Sequence, residues 1–197
     1  MAIVNGYASL AEAKVLLAVT ASTHEADIER AIETASRRID KWCGRQFYQD
    51  SSVTARQYTP KDAQILITDD ISTATGLLVA SETVFGTWGK SWTKDDWTGS
   101  YGFRLQPQEG APWWRLEALS GTWPETRLSV QVSAKWGYAA VPTDIEAACL
   151  ILATRLYERK DTPFGILDNP VSAGIPLPPM DPDVKQLLAG HVKMTRP

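Results

Sequence analysis

Two pairs of adjacent carboxylates are the first candidates for chemistry in this sequence. Asp69 is followed by Asp70, and Asp95 is followed by Asp96. Such a pair could hold a divalent cation or act as a general acid and base. However, neighbouring side chains on a strand point to opposite faces, and both pairs lie beside Thr and Ser in segments typical of turns. We therefore favour turns at both places, with a small metal-dependent enzyme that uses Asp69 or Asp70 as an alternative.

Neither the histidines nor a possible phosphate-binding motif indicates catalysis. The sequence has two histidines, of which His24 is predicted to lie in a helix cap and His191 in the C-terminal tail. With two histidines in these positions, the sequence offers almost none of the residues that a zinc site or a Ser-His-Asp triad requires. The segment GTWGKS at residues 86–91 resembles a phosphate-binding loop but lacks the full Walker spacing. The sequence thus predicts no catalytic residues, no metal site and no cofactor.

Tryptophan is unusually frequent, with eight residues in a chain of 197. Six of them fall between residues 88 and 123, namely Trp88, Trp92, Trp97, Trp113, Trp114 and Trp123. Exposed Trp rings could stack on sugars, a buried set could fill the core of a small sheet, and the remainder would suit a protein interface. Trp113 and Trp114 are adjacent, so on a strand one faces inward and the other outward. A carbohydrate-binding module is therefore an alternative function.

Charge and hydropathy narrow the class of protein. The net charge is -3 and the pI is near 5.4, which argues against tight binding to a nucleic-acid backbone because that binding depends on clustered Lys and Arg. No apolar run approaches the roughly 20 residues that cross a bilayer, and the first residues lack signal-peptide features. Cys43 and Cys149 lie on apolar sides of predicted helices, so we expect reduced thiols in a cytosolic protein.

The clearest helical pattern lies at residues 26–44. Its apolar residues recur four and three apart, which places them on one stripe of a helix. This stripe consists of Ile28, Ile32, Ala35, Ile39 and Trp42. A capping box of Ser22 and Glu25 is predicted at the start of this helix, and a left-handed Gly44 at its end.

Two further helices are predicted to cover that stripe. Residues 9–20 and 143–160 each open with the capping-box pattern Ser/Thr-x-x-Glu and carry apolar residues at helical spacing. Four arginines lie outside the apolar stripes of these helices: Arg37, Arg38, Arg155 and Arg159. They are interpreted either as part of solvated faces or as partners in ion pairs between subunits.

Between residues 45 and 141 the sequence is typical of β structure, because Thr, Trp, Val, Gly and Pro are frequent and no helical period is sustained. The candidate strands cover residues 54–58, 64–68, 76–80, 82–85, 101–106, 113–119 and 127–136. The tract 86–100 is predicted to be an exposed hairpin loop.

The C-terminal part begins with five prolines among scattered aliphatic residues at 163–180, which predicts an extended arm. Asp181 as N-cap with Pro182 then predicts a short last helix. The resulting fold class is α+β: a helical bundle of two N-terminal helices and one long helix, an inserted antiparallel β region, and a C-terminal arm ending in a short helix. The predicted domains are residues 1–44 with 142–162, residues 45–141, and residues 163–197.

Five segments, in order along most of the chain, carry a family resemblance. They are AIETASRRIDKWCGRQF at residues 31–47, TARQYTP at 54–60, LITDDISTATGLLV at 66–79, VSAKWGYAAVPTDIEAACLILATRLYERKDTPFGI at 132–166, and DPDVKQLL at 181–188. In these segments the sequence resembles the head-tail connector, or head-completion adaptor, proteins of tailed bacteriophages and of the related gene transfer agents.

The resemblance implies a structural adaptor without catalysis. Members of this family bind as a ring, typically dodecameric, beneath the portal of a DNA-filled head and supply the surface to which the stopper or tail attaches. The implied partners are further copies of the chain, a portal protein and a stopper or tail-completion protein. Genomic DNA passes through the lumen without sequence-specific binding, and no membrane is involved. The implied location is the neck of a virion or phage-like particle made in the bacterial cytoplasm.

Several surface residues are expected to make these contacts. They are Arg37, Arg38, Trp113, Trp114, Arg155, Arg159, Ile166, Leu167, Val184, Leu187 and Leu188. We further expect residues 181–197 to dock on the portal and to become ordered only on assembly, because an isolated helix this short is marginal in water.

Overall fold

The structure, a computed structural model, describes residues 3–84, 86–159 and 180–193 and confirms the α+β class. The chain divides into two compact units. Unit 1 combines Met1–Phe47 with Val141–Pro197, and unit 2 is Tyr48–Ala140. The α-helices of the described residues are α1 (Leu10–Leu16), α2 (Glu25–Cys43), α3 (Thr143–Glu158) and α4 (Pro182–Leu188). All four lie in unit 1.

Helix α2 buries the predicted stripe except at its last position. Ile28, Ile32, Ala35 and Ile39 are buried, whereas the Trp42 side chain is 44% exposed and Cys43 is buried in its place. At about 100° per residue, Trp42 and Cys43 lie at similar angles on either side of the stripe, so the helical period alone does not determine which of the two is buried. Gly44 ends the helix with a φ of 67°, as expected.

The start of α2 differs from the prediction. Ser22–His24 forms a 3-10 turn, His24 occupies the N-cap, and no side chain caps the helix. The predicted capping box of Ser22 and Glu25 is therefore wrong, because the 3-10 turn places Ser22 one turn before the first α-helical residue.

Helix α3 packs along α2, and α1 contacts both. The capping box of Ser9 and Glu12 forms at the start of α1, so that prediction is confirmed. At α3 the N-cap is Pro142, which has no side-chain donor or acceptor, and the expected capping box there is wrong. Helix α4 starts at the Asp181 N-cap, whose carboxylate accepts a hydrogen bond from the Asp183 N–H at 3.0 Å.

Unit 2 is a six-stranded sheet. Its strands are β1 (Thr54–Tyr58), β2 (Ile65–Val84), β3 (Thr87–Lys94), β4 (Gly102–Gln106), β5 (Trp113–Ser120) and β6 (Val130–Trp136). Their order is β1-β6-β2-β3-β4-β5, and an additional pairing of β2 with β5 closes part of the sheet into a small barrel. All neighbours are antiparallel except β3 and β4, which are parallel.

Strand β2 runs for 20 residues where three shorter strands were predicted. Its register shifts against β3, β5 and β6 show that bulges interrupt the pairing without ending the strand. Gly76, with a φ of 77°, lies at one of these interruptions. The hairpin loop predicted at 86–100 is also wrong, since β3 occupies its first half and pairs with β2. The alternation of polar residues with Trp88 and Trp92 in this segment is a strand pattern.

The core of unit 2 uses tryptophan heavily. Trp92 and Trp123 stack with ring centroids 3.7 Å apart, and both are buried. The Trp136 side chain is fully buried, and its Nε1–H donates to the Thr54 carbonyl oxygen at 3.0 Å. On β6, Val130 and the alternate residues after it face this core. Leu128, which falls within the predicted strand 127–136, lies before β6 and is 42% exposed with a φ of 56°. These rings explain why the region is rich in Trp.

Candidate interaction surfaces

The carboxylate pairs do not form an acid/base or metal centre. The turn predicted at Asp69 and Asp70 is wrong, because both residues lie within β2. The Asp69 carboxylate accepts hydrogen bonds from Arg56 at 2.9 Å and from the Tyr58 hydroxyl at 3.0 Å. The Arg56 guanidinium also lies 4.6 Å from the centroid of the Trp136 ring. This cluster ties β1 to β2 and β6, which is a structural role.

The second pair forms the expected turn. The Asp96 carboxylate accepts hydrogen bonds from the N–H groups of Thr98 and Gly99 at 2.9 and 2.8 Å. These bonds hold the pKa of Asp96 below its usual range. The turn also explains Gly102, where a Cβ would lie 1.7 Å from the Asp96 carbonyl oxygen. Among residues 3–84, 86–159 and 180–193, no group of three or more His, Cys, Asp or Glu could hold a metal ion.

Arg37 is engaged inside unit 1. Its guanidinium donates to the Asn5 carbonyl oxygen at 2.8 Å and lies 3.3 Å from the Asp40 carboxylate. The Tyr7 hydroxyl donates to Asp40 and accepts from the Phe47 N–H at 2.8 Å. Burial raises the pKa of Tyr7 and of Asp40. This network fastens the N-terminal segment to α2.

Arg38 lies beside that network but is exposed. Both of the adjacent arginines singled out for contacts between subunits are therefore exposed, and Arg37 already contacts Asn5 and Asp40 within the unit.

Arg155 and Arg159 lie one turn apart at the end of α3. The Arg155 guanidinium is 3.4 Å from the Asp181 carboxylate, which also caps α4, so the ion pair links α3 to the start of α4. The Arg159 side chain is half-buried. Arg155 is therefore used inside unit 1.

The hydrophobic residues of α4 differ in exposure. Val184 and Leu188 are fully buried in unit 1, where α4 packs on α3, and Leu187 is half-buried. The first two thus belong to the core of the unit. Ile166 and Leu167 lie outside the described residues.

The tryptophans named from the sequence separate as strand alternation predicts. Trp113 packs against the core of unit 2, whereas Trp114 is 40% exposed. Trp97 is 60% exposed, and the Arg104 guanidinium lies 4.7 Å from its ring centroid. The sugar-stacking interpretation is therefore restricted to Trp97, Trp114 and half-buried rings such as Trp88.

Two features of unit 1 were missed from the sequence. Helix α1 was predicted to bury an apolar side, but Ala13 is its only buried residue, and Val15 and Leu16 are 82% and 57% exposed. The second feature is a groove of about 310 Å³ between the start of α2 and the end of α3. It is lined by Asp27, Arg30, Ala31, Thr34, Leu156 and Tyr157. Aliphatic residues on all sides of a helix indicate burial rather than exposure, so no pattern in the sequence indicated the uncovered side of α1.

A membrane-spanning helix is not found in the described part of the chain, since none of its helices is both long and apolar enough to cross a bilayer. The two cysteines are free and buried, as expected. Burial raises the pKa of the Cys43 thiol to about 11 and also raises that of Cys149.

Comparison with known proteins gives matches among solved structures. No protein-family profile and no curated protein matches the chain. A chain from the neck of an empty gene transfer agent particle, computed with C6 symmetry, matches with a TM-score of 0.61 and 18% identity, over 100% of this chain and 94% of that one. A chain from the virion of a native gene transfer agent particle matches with a TM-score of 0.56 and 19% identity over the same shares. The chain thus has the fold of a neck-type component of these particles, and the resemblance stated from the sequence is confirmed.

Proposed function

We propose that this chain is a non-enzymatic adaptor that forms a ring beneath the portal of a phage or gene transfer agent particle. The ring completes the DNA-filled head and offers the attachment surface for the stopper or tail. The observation that carries the proposal is the match, over the whole of this chain, to a chain of a gene transfer agent neck. A match over 94% of that chain leaves little room for a different arrangement of elements.

The chemistry of the described residues supports a structural role. Asp69, one of the carboxylates considered for catalysis, instead accepts hydrogen bonds from Arg56 and Tyr58. The net charge of -3 favours free passage of DNA through a ring over tight binding to its backbone. An adaptor requires neither a cofactor nor a metal.

We assign separate roles to the parts of the chain. The helical bundle of residues 1–44 and 142–162 forms the ring wall, and the β domain of residues 45–141 is the module for the stopper or tail. Residues 163–197 contact the portal or a neighbouring copy. Since Val184 and Leu188 are buried, the accessible side of α4 contributes Lys185, Gln186 and part of Leu187 to such a contact.

The test is attachment to tail-less particles that carry a portal. The purified full-length chain is mixed with such particles, and binding is measured by co-sedimentation and negative-stain imaging of the portal vertex. A ring at that vertex is the expected result. Particles assembled without the portal protein are the control and should not bind the chain. Failure to bind portal-bearing particles would refute the adaptor role.

The carbohydrate-binding alternative is separated by a different measurement. Exposed Trp97 and Trp114 would report sugar stacking through Trp fluorescence. An adaptor should give no saturable change when a panel of glycans is titrated, whereas a saturable quench that is lost in Trp97→Ala or Trp114→Ala would favour the alternative.

A further inference from the structure

The exposed side of α1 is apolar with one acidic group. Ala11, Glu12, Val15 and Leu16 are all exposed, and residues three and four apart on a helix lie on the same side. Val15 has the most exposed large apolar side chain of unit 1 among the described residues, at 82%. We call Glu12, Val15 and Leu16 the α1 knob. Burial of two such aliphatic side chains in a partner would be favourable, and water is a poor environment for them.

The groove between α2 and α3 has an apolar floor and a charged rim. Ala31, Leu156 and the Tyr157 ring supply its apolar part. At its rim the Arg30 side chain is 71% exposed and lies 3.9 Å from the Asp27 carboxylate, at the outer limit of an ion pair. The groove therefore combines an apolar floor with an accessible cation, whereas the α1 knob combines two aliphatic side chains with an accessible anion.

The knob and the groove lie on opposite flanks of unit 1. On α2, the residues that hold the N-terminal segment are Glu33, Ser36, Arg37 and Asp40. At about 100° per residue, Glu33, Ser36 and Asp40 lie on one side of the buried stripe, and their mean direction is about 120° from that of Asp27, Arg30 and Thr34 on the other side. Arg37 lies near the boundary between the two sets, about 20° from Arg30. The Lys14 ammonium bonds to Glu25 on the same side as the N-terminal segment. Helix α1 thus covers one flank of α2, and the groove opens on the other.

A contact between two different patches is what a ring requires. A two-fold contact uses the same patch on both copies, whereas a head-to-tail contact joins different patches and closes into a ring when the rotation allows it. We propose that the α1 knob of one copy inserts into the α2–α3 groove of the next copy, with Glu12 facing Arg30. This inference rests on the proposed ring and identifies the surfaces that build it.

Cross-linking tests the contact in the full-length chain. Val15→Cys and Thr34→Cys are made separately and together, since native Cys43 and Cys149 are buried and should not react with a short bismaleimide. A mixture of the two single variants should give cross-linked dimers, and the double variant should give a ladder of oligomers. Each single variant alone should give none. As a control, Leu78→Cys, which is 69% exposed in unit 2, should not cross-link to Thr34→Cys.

Charge changes test the energetics of the same contact. Val15→Asp should weaken self-association in sedimentation velocity by about 100-fold or more, because a carboxylate would enter an apolar groove. Leu78→Asp, the same change at a similarly exposed site, should have no effect. Glu12→Arg and Arg30→Glu should each weaken association, and their combination should restore it. Loss of the Ser9–Glu12 capping box alone would not be repaired by Arg30→Glu.

The outcomes separate this inference from the adaptor role. If the chain forms rings on portal-bearing particles without cross-links between Val15→Cys and Thr34→Cys, the knob-and-groove contact is refuted and the adaptor role stands. Cross-links in solution without attachment to particles would support the contact and refute the adaptor role. If residues 160–179 of the same chain fill the groove, Thr34→Cys should resist labelling in the monomer and the cross-links should be absent, which also refutes the contact.

Discussion

The substitution Leu188→Ala decides whether α4 is part of unit 1 before any partner binds. Leu188 is fully buried where α4 packs on α3. Truncation of a buried Leu to Ala costs about 2–5 kcal/mol, and a short helix near the end of the chain can relax into the space. We therefore expect a loss of about 2–3 kcal/mol in the free energy of unfolding of unit 1.

The adjacent Leu187 provides a matched control. It undergoes the same change in the same helix but is half-buried, so Leu187→Ala should cost less than about 1 kcal/mol. Both variants are compared by urea unfolding of the free protein, followed by far-ultraviolet circular dichroism. This signal reports mainly on unit 1, because the described α-helices all lie there. At a typical slope, the midpoint for Leu188→Ala should fall by about 1–2 M urea.

Equal midpoints for the two leucine variants and the unchanged protein would refute this reasoning. They would mean that α4 does not pack on α3 in the free chain and becomes ordered only on assembly, as the length of the helix suggested. If the expected difference is found, deletion of residues 181–197 would uncover the side of α3 on which Leu188 packs, and loss of particle attachment in that deletion could not be assigned to a lost portal contact.

Three further predictions test other parts of the structure. Gly102→Ala should prevent unit 2 from folding, because the added Cβ would meet the Asp96 carbonyl oxygen at 1.7 Å; an unchanged near-ultraviolet spectrum would contradict this. Cys43 and Cys149 should resist iodoacetamide at neutral pH in the folded chain, since burial raises the pKa of both thiols, and mass spectrometry should find two labels only after denaturation. Burial raises the pKa of Asp40 above its ordinary value of 3.8, so the folded chain keeps a proton that the unfolded chain releases, and stability from this group falls as pH rises through that interval. Asp40→Asn should lack this fall, and parallel pH profiles of unfolding for the two proteins would disprove it.

In unit 1, sequence patterns correctly predicted which residues are buried where burial follows from the helical period of a single helix. The stripe from Ile28 to Ile39 is set by period and length, and Gly44 and Asp181 act locally as caps. The capping-box pattern alone was insufficient to predict the start of a helix where the conformation of the preceding residues determined the N-cap. Thr143 follows Pro142, which takes the N-cap, and Ser22 enters a 3-10 turn.

Patterns failed in unit 2 where pairing between distant strands overrides local signals. Gly76 and the polar residues around Asp69 are typical of strand ends, yet β2 continues through both because β5, β6 and β3 pair along it in turn. Paired carboxylates likewise gave no indication that Arg56 would reach Asp69 from β1. The exposed side of α1 depends on which neighbours cover it, and a pattern of aliphatic residues does not contain that information.

In the sequence, unit 2 is inserted between the two segments of unit 1. This order determines which contacts can form while the chain is being synthesised. Strand β2 cannot complete its ladders until β6 has been synthesised, and the stripe of α2 cannot be covered by α3 until after that. Ile28 and Ile32 must therefore stay solvent-accessible, or held by a chaperone, while about 100 residues are made. The β unit is therefore complete on the chain before unit 1 can close, because α3 and α4 follow it in the sequence.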